Sequence, residues 1–290
     1  MDYILHLTIL VALYTVFAIS LDLVAGHAGL LSMAQAAFVG VGAYTTAILM
    51  LEANLSFWLA TVISMAVAMV LSLAVSLPSL RLREDYFVIA TFAFQVIAVD
   101  VFTNATPLTH GPFGIPGIPR PAAFGLSLND SASFLIPAVG SALFSAGVVA
   151  LLTTGPFGRV LHAIREDESY ATALGKHTLR TKMQVFAVSC ALAALGGSLM
   201  ASYTTFIEPG VFSVSESILV LAMVIFGGAG TTAGPIIGAA MLVLLPEVLR
   251  TVGVPSPWAA GIRQIVYGML LILAMMYRPG GLVGRFRFGQ

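Results

Sequence analysis

The sequence predicts an all-α integral membrane protein, a polytopic bundle of about nine transmembrane helices with broken Gly-rich segments. Three observations carry this. The 290 residues are 59% hydrophobic and only 9% charged, with a mean hydropathy of +0.99, whereas soluble domains carry about 25% charged residues. Leu5 to Leu21, Phe57 to Leu77, Phe134 to Leu152, Met183 to Phe206 and Trp258 to Tyr277 are apolar runs of the length that crosses a hydrocarbon core of ~30 Å as a helix. Strands of a membrane barrel would instead alternate over about ten residues. Finally, Arg159, Arg165, Glu166, Asp167, Glu168, Lys176, Arg180 and Lys182 crowd into one polar island, Gly155 to Lys182.

In chain order the spans are expected at 4–25, 30–52, 56–77, 85–103, 132–153, 183–206, 213–227, 234–250 and 258–277. The first follows Met1-Asp2 without a basic leader or a small-residue cleavage site, so it is read as a retained span. The segments 213–227, interrupted by Glu216, and 234–250, which is short, are full spans or broken half-helices together. An odd count puts the termini on opposite sides, and the positive-inside rule chooses which. With the island cytoplasmic, Arg81, Arg83, Arg278, Arg285 and Arg287 fall on the same side, leaving Arg120, Arg250 and Arg263 elsewhere. The N-terminus is then outside and the tail, 278–290, cytoplasmic. The whole chain, 1–290, reads as a single transmembrane domain. Zero net charge excludes a basic nucleic-acid binder, and the lone Cys190 excludes disulfide frameworks and cysteine metal sites.

Residues 104–131 form a Pro/Gly-rich outer loop, which resists regular helix. It reads equally as a stiff connector or as a docking surface. Gly26-His-Ala-Gly29 opens the second span, with Gly40 and Gly42 following, and Gly227-Gly-Ala-Gly230 leads into Gly234 and Gly238. The shared Gly-x-Ala-Gly pattern in opposite halves fits either close helix packing or the interrupted helices that line a transport pathway. Gly26, His27, Gly29, Gln35, Gly227, Gly228, Gly230 and Gly234 are the candidate pathway residues. Asp22, Asp100, Glu216, Glu247 and Arg263 lie in or at the ends of spans, where a charge at the centre costs at least ~2.5 kcal/mol and needs a partner or water.

No constellation for catalysis is visible. Gly175-Lys176-His177 is not a phosphate-binding loop, because Tyr170 stands where a glycine is required. A Gly-x-Ser-x-Gly elbow, a His-Glu-x-x-His pair and clustered metal ligands are also lacking. An intramembrane enzyme is therefore disfavoured, and any energy from ATP has to come from another chain. Within the island, Val160, Leu161 and Ile164, and again Tyr170, Ala171 and Leu174, recur at helical spacing. An amphipathic helix at the inner face is expected, whose bland alternative is a segment bound to membrane lipid.

These blocks closely resemble the permease subunits of branched-chain amino-acid ABC importers, the LivM type. The resemblance rests on Gly158-Arg159, Ala163-Ile-Arg-Glu-Asp-Glu168, Ala171 and Leu174-Gly175. It extends to Gly26-His-Ala-Gly-Leu-Leu-Ser32, Ala36 to Tyr44, Arg81 to Phe87, Gly111 to Pro119 and Arg278-Pro-Gly-Gly-Leu282. It implies that 155–182 is a coupling loop in which Arg159, Arg165, Glu166, Asp167, Glu168 and Gly175 meet a cytoplasmic ATPase. It also implies a second homologous permease subunit, two ATPase subunits that carry ATP and Mg, and a periplasmic substrate-binding protein. That protein would dock near His110, Pro112 and Arg120. The chain itself would bind no cofactor and sit in a bacterial-type inner membrane. His27, Met33-Ala-Gln35, Glu84 and Lys176-His177 depart from the usual residues, so urea and short amides stand beside branched-chain amino acids as substrates. A stand-alone ion-coupled transporter or channel is the other alternative.

Overall fold

The computed structural model describes residues 2–80, 84–123, 126–127, 130–251, 265, 268–269, 272, 276 and 280–283. Among them the chain is helical almost throughout. In order the helices are α1 (Asp2–Asp22), which continues as a π-turn over Leu23–His27, α2 (Gln35–Leu51), α3 (Phe57–Ser79), α4 (Glu84–Asn104) and α5 (Thr106–Thr109). After the outer loop come α6 (Ser131–Thr154), α7 (Pro156–Glu166), α8 (Glu168–Ala173), α9 (Thr178–Thr204), α10 (Val214–Gly227) and α11 (Ala233–Thr251). Five stretches are long and apolar enough to cross a membrane: Asp2–His27, Phe57–Ser79, Tyr86–Asn104, Ala132–Thr154 and Thr178–Thr204. Three shorter apolar helices, Gln35–Leu51, Val214–Gly227 and Ala233–Glu247, complete the described bundle. The expected span 258–277, with Arg263, lies almost wholly outside the described residues, as do Arg81, Arg83, Arg278, Arg285 and Arg287.

Burial sorts the helices. In α9, 83% of the apolar window is buried, against 22% in α6 and 28% in α4, so α9 is central while α4 and α6 present apolar faces to the surroundings. Centrality follows from sequence: small residues let α9 approach its neighbours closely. A Cβ on Gly42 would collide with the backbone of Ala194, and one on Gly197 with the backbone of Val39, so α2 and α9 interlock glycine against backbone. Thr46 and Ser198 hydroxyls meet at 2.7 Å across this contact, and Ser64 of α3 joins Ser198 at 2.9 Å. Cys190 is buried in α9.

Two expectations are revised in detail. The second span begins at Gln35 rather than residue 30, because the N–H groups just before the helix and in its first turn find partners on other helices. Met33 donates to Thr91 Oγ1 at 3.1 Å, Ala36 to Ser217 Oγ at 2.9 Å and Ala37 to Gln95 Oε1 at 2.7 Å. The central helix starts at Thr178, inside the island, rather than at 183; Lys182 is buried there and its Nζ lies 2.7 Å from Glu168 Oε2.

The Pro/Gly loop is tied down at the far end of the bundle from the island. A two-residue strand, Ile115–Pro116, pairs antiparallel with Phe206–Ile207 just beyond α9. Gly117 and Ile118 N–H groups both donate to Thr205 O, at 3.0 and 3.2 Å, and Ile115 and Ile118 are buried. His110, Pro112 and Phe113 stay on the surface, Phe113 at 86% exposed, and Arg120 is half-buried. The loop is thus anchored on one side while showing an apolar ring and an imidazole on the other.

Candidate functional site

The island folds into two helices with a break between them. Gly155 leads into Pro156 at the first helical position, where the missing N–H costs nothing. The helix α7 buries Gly158, Leu161 and Ile164, the stripe that three- and four-residue spacing predicts. Asp167 leaves helical geometry and its Oδ1 accepts the Tyr170 N–H at 3.0 Å, capping α8. In α8 only Ala171 is buried; Tyr170 within it and Leu174 just after it are 63% and 59% exposed. Arg159, Glu166, Asp167 and Gly175 are exposed too. The outward surface of the island is therefore charged but carries two large apolar side chains.

Arg165 points the other way. Its Nη1 donates to the carbonyl of Gly26 in the π-turn that ends α1, and a Cβ built on Gly29 would lie 3.1 Å from Arg165 Cγ. The same guanidinium nitrogen lies 3.0 Å from where a Cβ of Gly230 would stand. The two Gly-x-Ala-Gly elements, some two hundred residues apart in sequence, are in contact at this point. Gly26 has no room for a side chain, since a Cβ would overlap both Asp22 Oδ1 and the Gly230 nitrogen. Gly230 itself holds φ at +78°, a region that favours glycine. Asp22, 1% exposed, closes the junction: its Oδ1 accepts the Gly230 N–H at 2.8 Å and its Oδ2 lies 3.5 Å from His27 Nε2. His27 is buried, with neither ring nitrogen hydrogen-bonded among the described residues, and its ring meets His162 of α7 at 5.8 Å.

Part of the tail arrives at the same place. Leu282 and Val283 N–H groups donate to Phe226 O and Gly227 O at 3.0 and 3.1 Å, and Gly281 abuts Gly228. Gly227 and Gly234 also face each other across the turn between α10 and α11, each blocked by backbone. Partial burial draws the Arg165 guanidinium below its ordinary pKa, while the carboxylates of Glu166 and Asp22 draw it up; arginine stays charged through the physiological range in either case. A carboxyl group, a guanidinium and two imidazoles thus sit where two backbone turns touch.

Gln35 lies deeper, in a second polar cluster. Its Nε2 donates to Ser20 Oγ at 2.5 Å and to Phe17 O at 3.1 Å. Gln95, 0% exposed, accepts from Ala37 N–H and from Ser217 Oγ at 3.0 Å and donates to Phe212 O at 2.7 Å. Sequence reasoning passed over Gln95 and Ser217. The signal was an amide standing alone in the apolar run Phe92 to Ala98, since a polar group at membrane depth has to find a partner. At the end away from the island, Tyr14 donates to Glu216 at 2.5 Å, and both line a cavity of about 410 Å³ with His6 and Glu247. Glu216 is therefore held between helices rather than merely placed at a span end. Among the described residues, no group of three His, Cys, Asp or Glu side chains is arranged to hold a metal ion.

Known proteins give this geometry a family. The model described as branched-chain amino acid transport system / permease component matches residues 3–275. The high-affinity branched-chain amino acid transport system permease protein LivM of Escherichia coli K12 is 33% identical, over 94% of this chain and 68% of its own length. The probable branched-chain amino acid transport permease protein LivM of Methanocaldococcus jannaschii is 27% identical over 78% of this chain and 67% of its own. LivH, a high-affinity permease protein of the same type from Escherichia coli K12, is 26% identical over 94% and 91%. No solved structure matches the chain at a significant level. Both the family model and the LivM likeness run nearly end to end, and the chain belongs to the family of permease components of branched-chain amino acid transport systems.

Proposed function

We propose that this chain is the membrane-spanning permease subunit of an ATP-binding-cassette importer that carries branched-chain amino acids across a bacterial-type inner membrane. In this reading the spans number nine, the N-terminus is outside, and the island and the tail are cytoplasmic. The observation that carries the reading is the two-sided island. One face of α7 is buried against the end of α1 and the turn after α10, while Glu166, Asp167, Tyr170 and Leu174 remain on the outside. An exposed patch mixing acidic and large apolar side chains suits a protein partner better than headgroups alone, and the partner proposed is an ATPase. A pair of such ATPases, carrying ATP and Mg, supplies the energy.

The likeness to both LivM and LivH supports pairing with a second, homologous permease subunit. A substrate-binding protein outside the membrane would dock at the anchored loop, where His110, Pro112 and Phe113 are exposed. In the cycle the two ATPases close on ATP, push α7 and α8, and switch the bundle between outward-open and inward-open states. The test is reconstitution: the tagged chain, expressed with a homologous permease, an ATPase pair and a binding protein from the same source, should copurify with an ATPase and give ATP-dependent leucine uptake in vesicles. Competition by isoleucine and valine but not by urea or short amides is expected. A chain that brings down no ATPase in mild detergent and transports alone would overturn the reading in favour of a self-contained transporter.

A further inference from the structure

The island makes two kinds of contact, and only one of them faces a partner. We propose that Asp22 and Arg165 are positioning residues of the transport cycle, tying α7 to both glycine elements at once so that the junction stays assembled while the surrounding bundle moves. This rests on the ATP-driven reading above.

Arg165 reaches the Gly26 carbonyl from α7, and Asp22 reaches the Gly230 N–H from α1, so these two side chains stitch three segments that are remote in sequence. Gly26 and Gly230 approach so closely that a Cβ at Gly26 would strike the Gly230 nitrogen, and close-packed backbone transmits displacement rather than absorbing it. Asp22 is 1% exposed, and a carboxyl group withdrawn from water is costly unless its hydrogen bonds are in place. Withdrawing α7 would leave the Gly26 carbonyl without the Arg165 donor and take the guanidinium away from Asp22, and parting α1 from the turn after α10 would free the Gly230 N–H. The electrostatics therefore favour movement of α7, the end of α1 and the turn after α10 as one body. The turn at 280–283 packs against Gly227 and Gly228 and would ride on the same body.

The test uses the full importer in vesicles and follows assembly, ATP hydrolysis and leucine uptake together. Asp22→Ala should leave the ATPases bound and hydrolysing while uptake per ATP falls about tenfold or more, the loss expected from one buried charge-assisted contact. Because a Cβ on Gly29 would lie 3.6 Å from that of Arg165, within disulfide geometry, the pair Gly29→Cys with Arg165→Cys, in a Cys190→Ala background, can replace the native tie covalently. Reduced, this variant should hydrolyse ATP without transport; oxidised, it should regain uptake. Normal uptake from Asp22→Ala, normal uptake from the reduced pair, or an oxidised form as silent as the reduced one would each overturn the proposal. If Asp22→Ala fails to assemble, the cysteine pair decides alone. If the unaltered chain shows no ATP-coupled uptake at all, it is the functional reading that fails, whatever the variants do.

Discussion

Replacing Gln95 by Met should destabilise the bundle without opening a void, and its cost follows from three hydrogen bonds. The amide accepts from Ala37 N–H at 2.7 Å and Ser217 Oγ at 3.0 Å, and donates to Phe212 O at 2.7 Å. Methionine matches its length and flexibility, so the packing penalty is small. What is lost is the polar pairing of three groups at a site that is 0% exposed. At ~0.6 kcal/mol per bond, the average within membrane bundles, the loss is about 2 kcal/mol. At ~1 kcal/mol or more for each group left unsatisfied it reaches about 3 kcal/mol or beyond. Cys190 supplies the assay, being the one cysteine in the chain and 2% exposed: a thiol-reactive fluorophore added in detergent reports the temperature at which the core opens. A fall of at least ~4 °C is expected, at roughly 2 °C per kcal/mol for a large domain. A shift under ~1 °C would show that the amide is not holding the start of α2, and would undo the account of why that helix begins at Gln35.

Other outcomes follow from the same geometry. Gly42→Ala and Gly197→Ala should each lower the same transition by about 1–3 kcal/mol of overpacking, because their Cβ atoms would strike the backbone of Ala194 and Val39, whereas Gly147→Ala, with nothing within 4 Å, should not lower it. Glu168→Gln should cost roughly 1 kcal/mol or more by removing the carboxylate that lies 2.7 Å from the buried Lys182 ammonium, seen as earlier proteolysis between α8 and α9. Tyr170→Ala with Leu174→Ala should reduce ATPase copurification about tenfold or more while leaving the thermal transition unchanged, since both side chains are exposed. Reversing Arg165, Glu166 and Glu168 together should abolish uptake with membrane insertion intact, and normal uptake would remove the island from the mechanism.

The helices were legible because each long span is a single apolar run, and a membrane admits little besides helix at that length. The start of α2 was not, because the groups that satisfy its leading N–H groups stand on α4 and α10, and no local pattern announces a cap supplied from elsewhere. The two glycine elements were paired by their shared pattern, yet their contact through Asp22 and Gly230 joins residues 208 apart and is a tertiary fact. The inward turn of Arg165 was half-written in the sequence. Gly158, Leu161 and Arg165 follow at three- and four-residue steps, so the guanidinium shares the buried face of α7 while its neighbour Glu166 does not. Tyr170 and Leu174 share a spacing with Ala171 but not its burial, since α8 is too short and too shallowly seated to cover them.

Counting basic residues orients a membrane chain, but it cannot separate charges that only orient it from charges that attach one part to another. Burial makes that separation. An arginine or lysine in solvent satisfies the positive-inside bias at no folding cost, whereas drawing one out of water costs free energy that only well-placed partners offset. Arg159, Lys176 and Arg180 are exposed and need no more than solvent, headgroups or a docking protein. Lys182 is 3% exposed and paired with Glu168, and Arg165 is half-buried on Gly26. These two cations fasten the island at two places, α8 to α9 and α7 to the glycine junction, on either side of the break at Asp167. A push delivered to the exposed face between those fastenings cannot be absorbed by swinging α7 or α8 alone. In the proposed cycle it would carry the ends of α1, α9 and α10 with it.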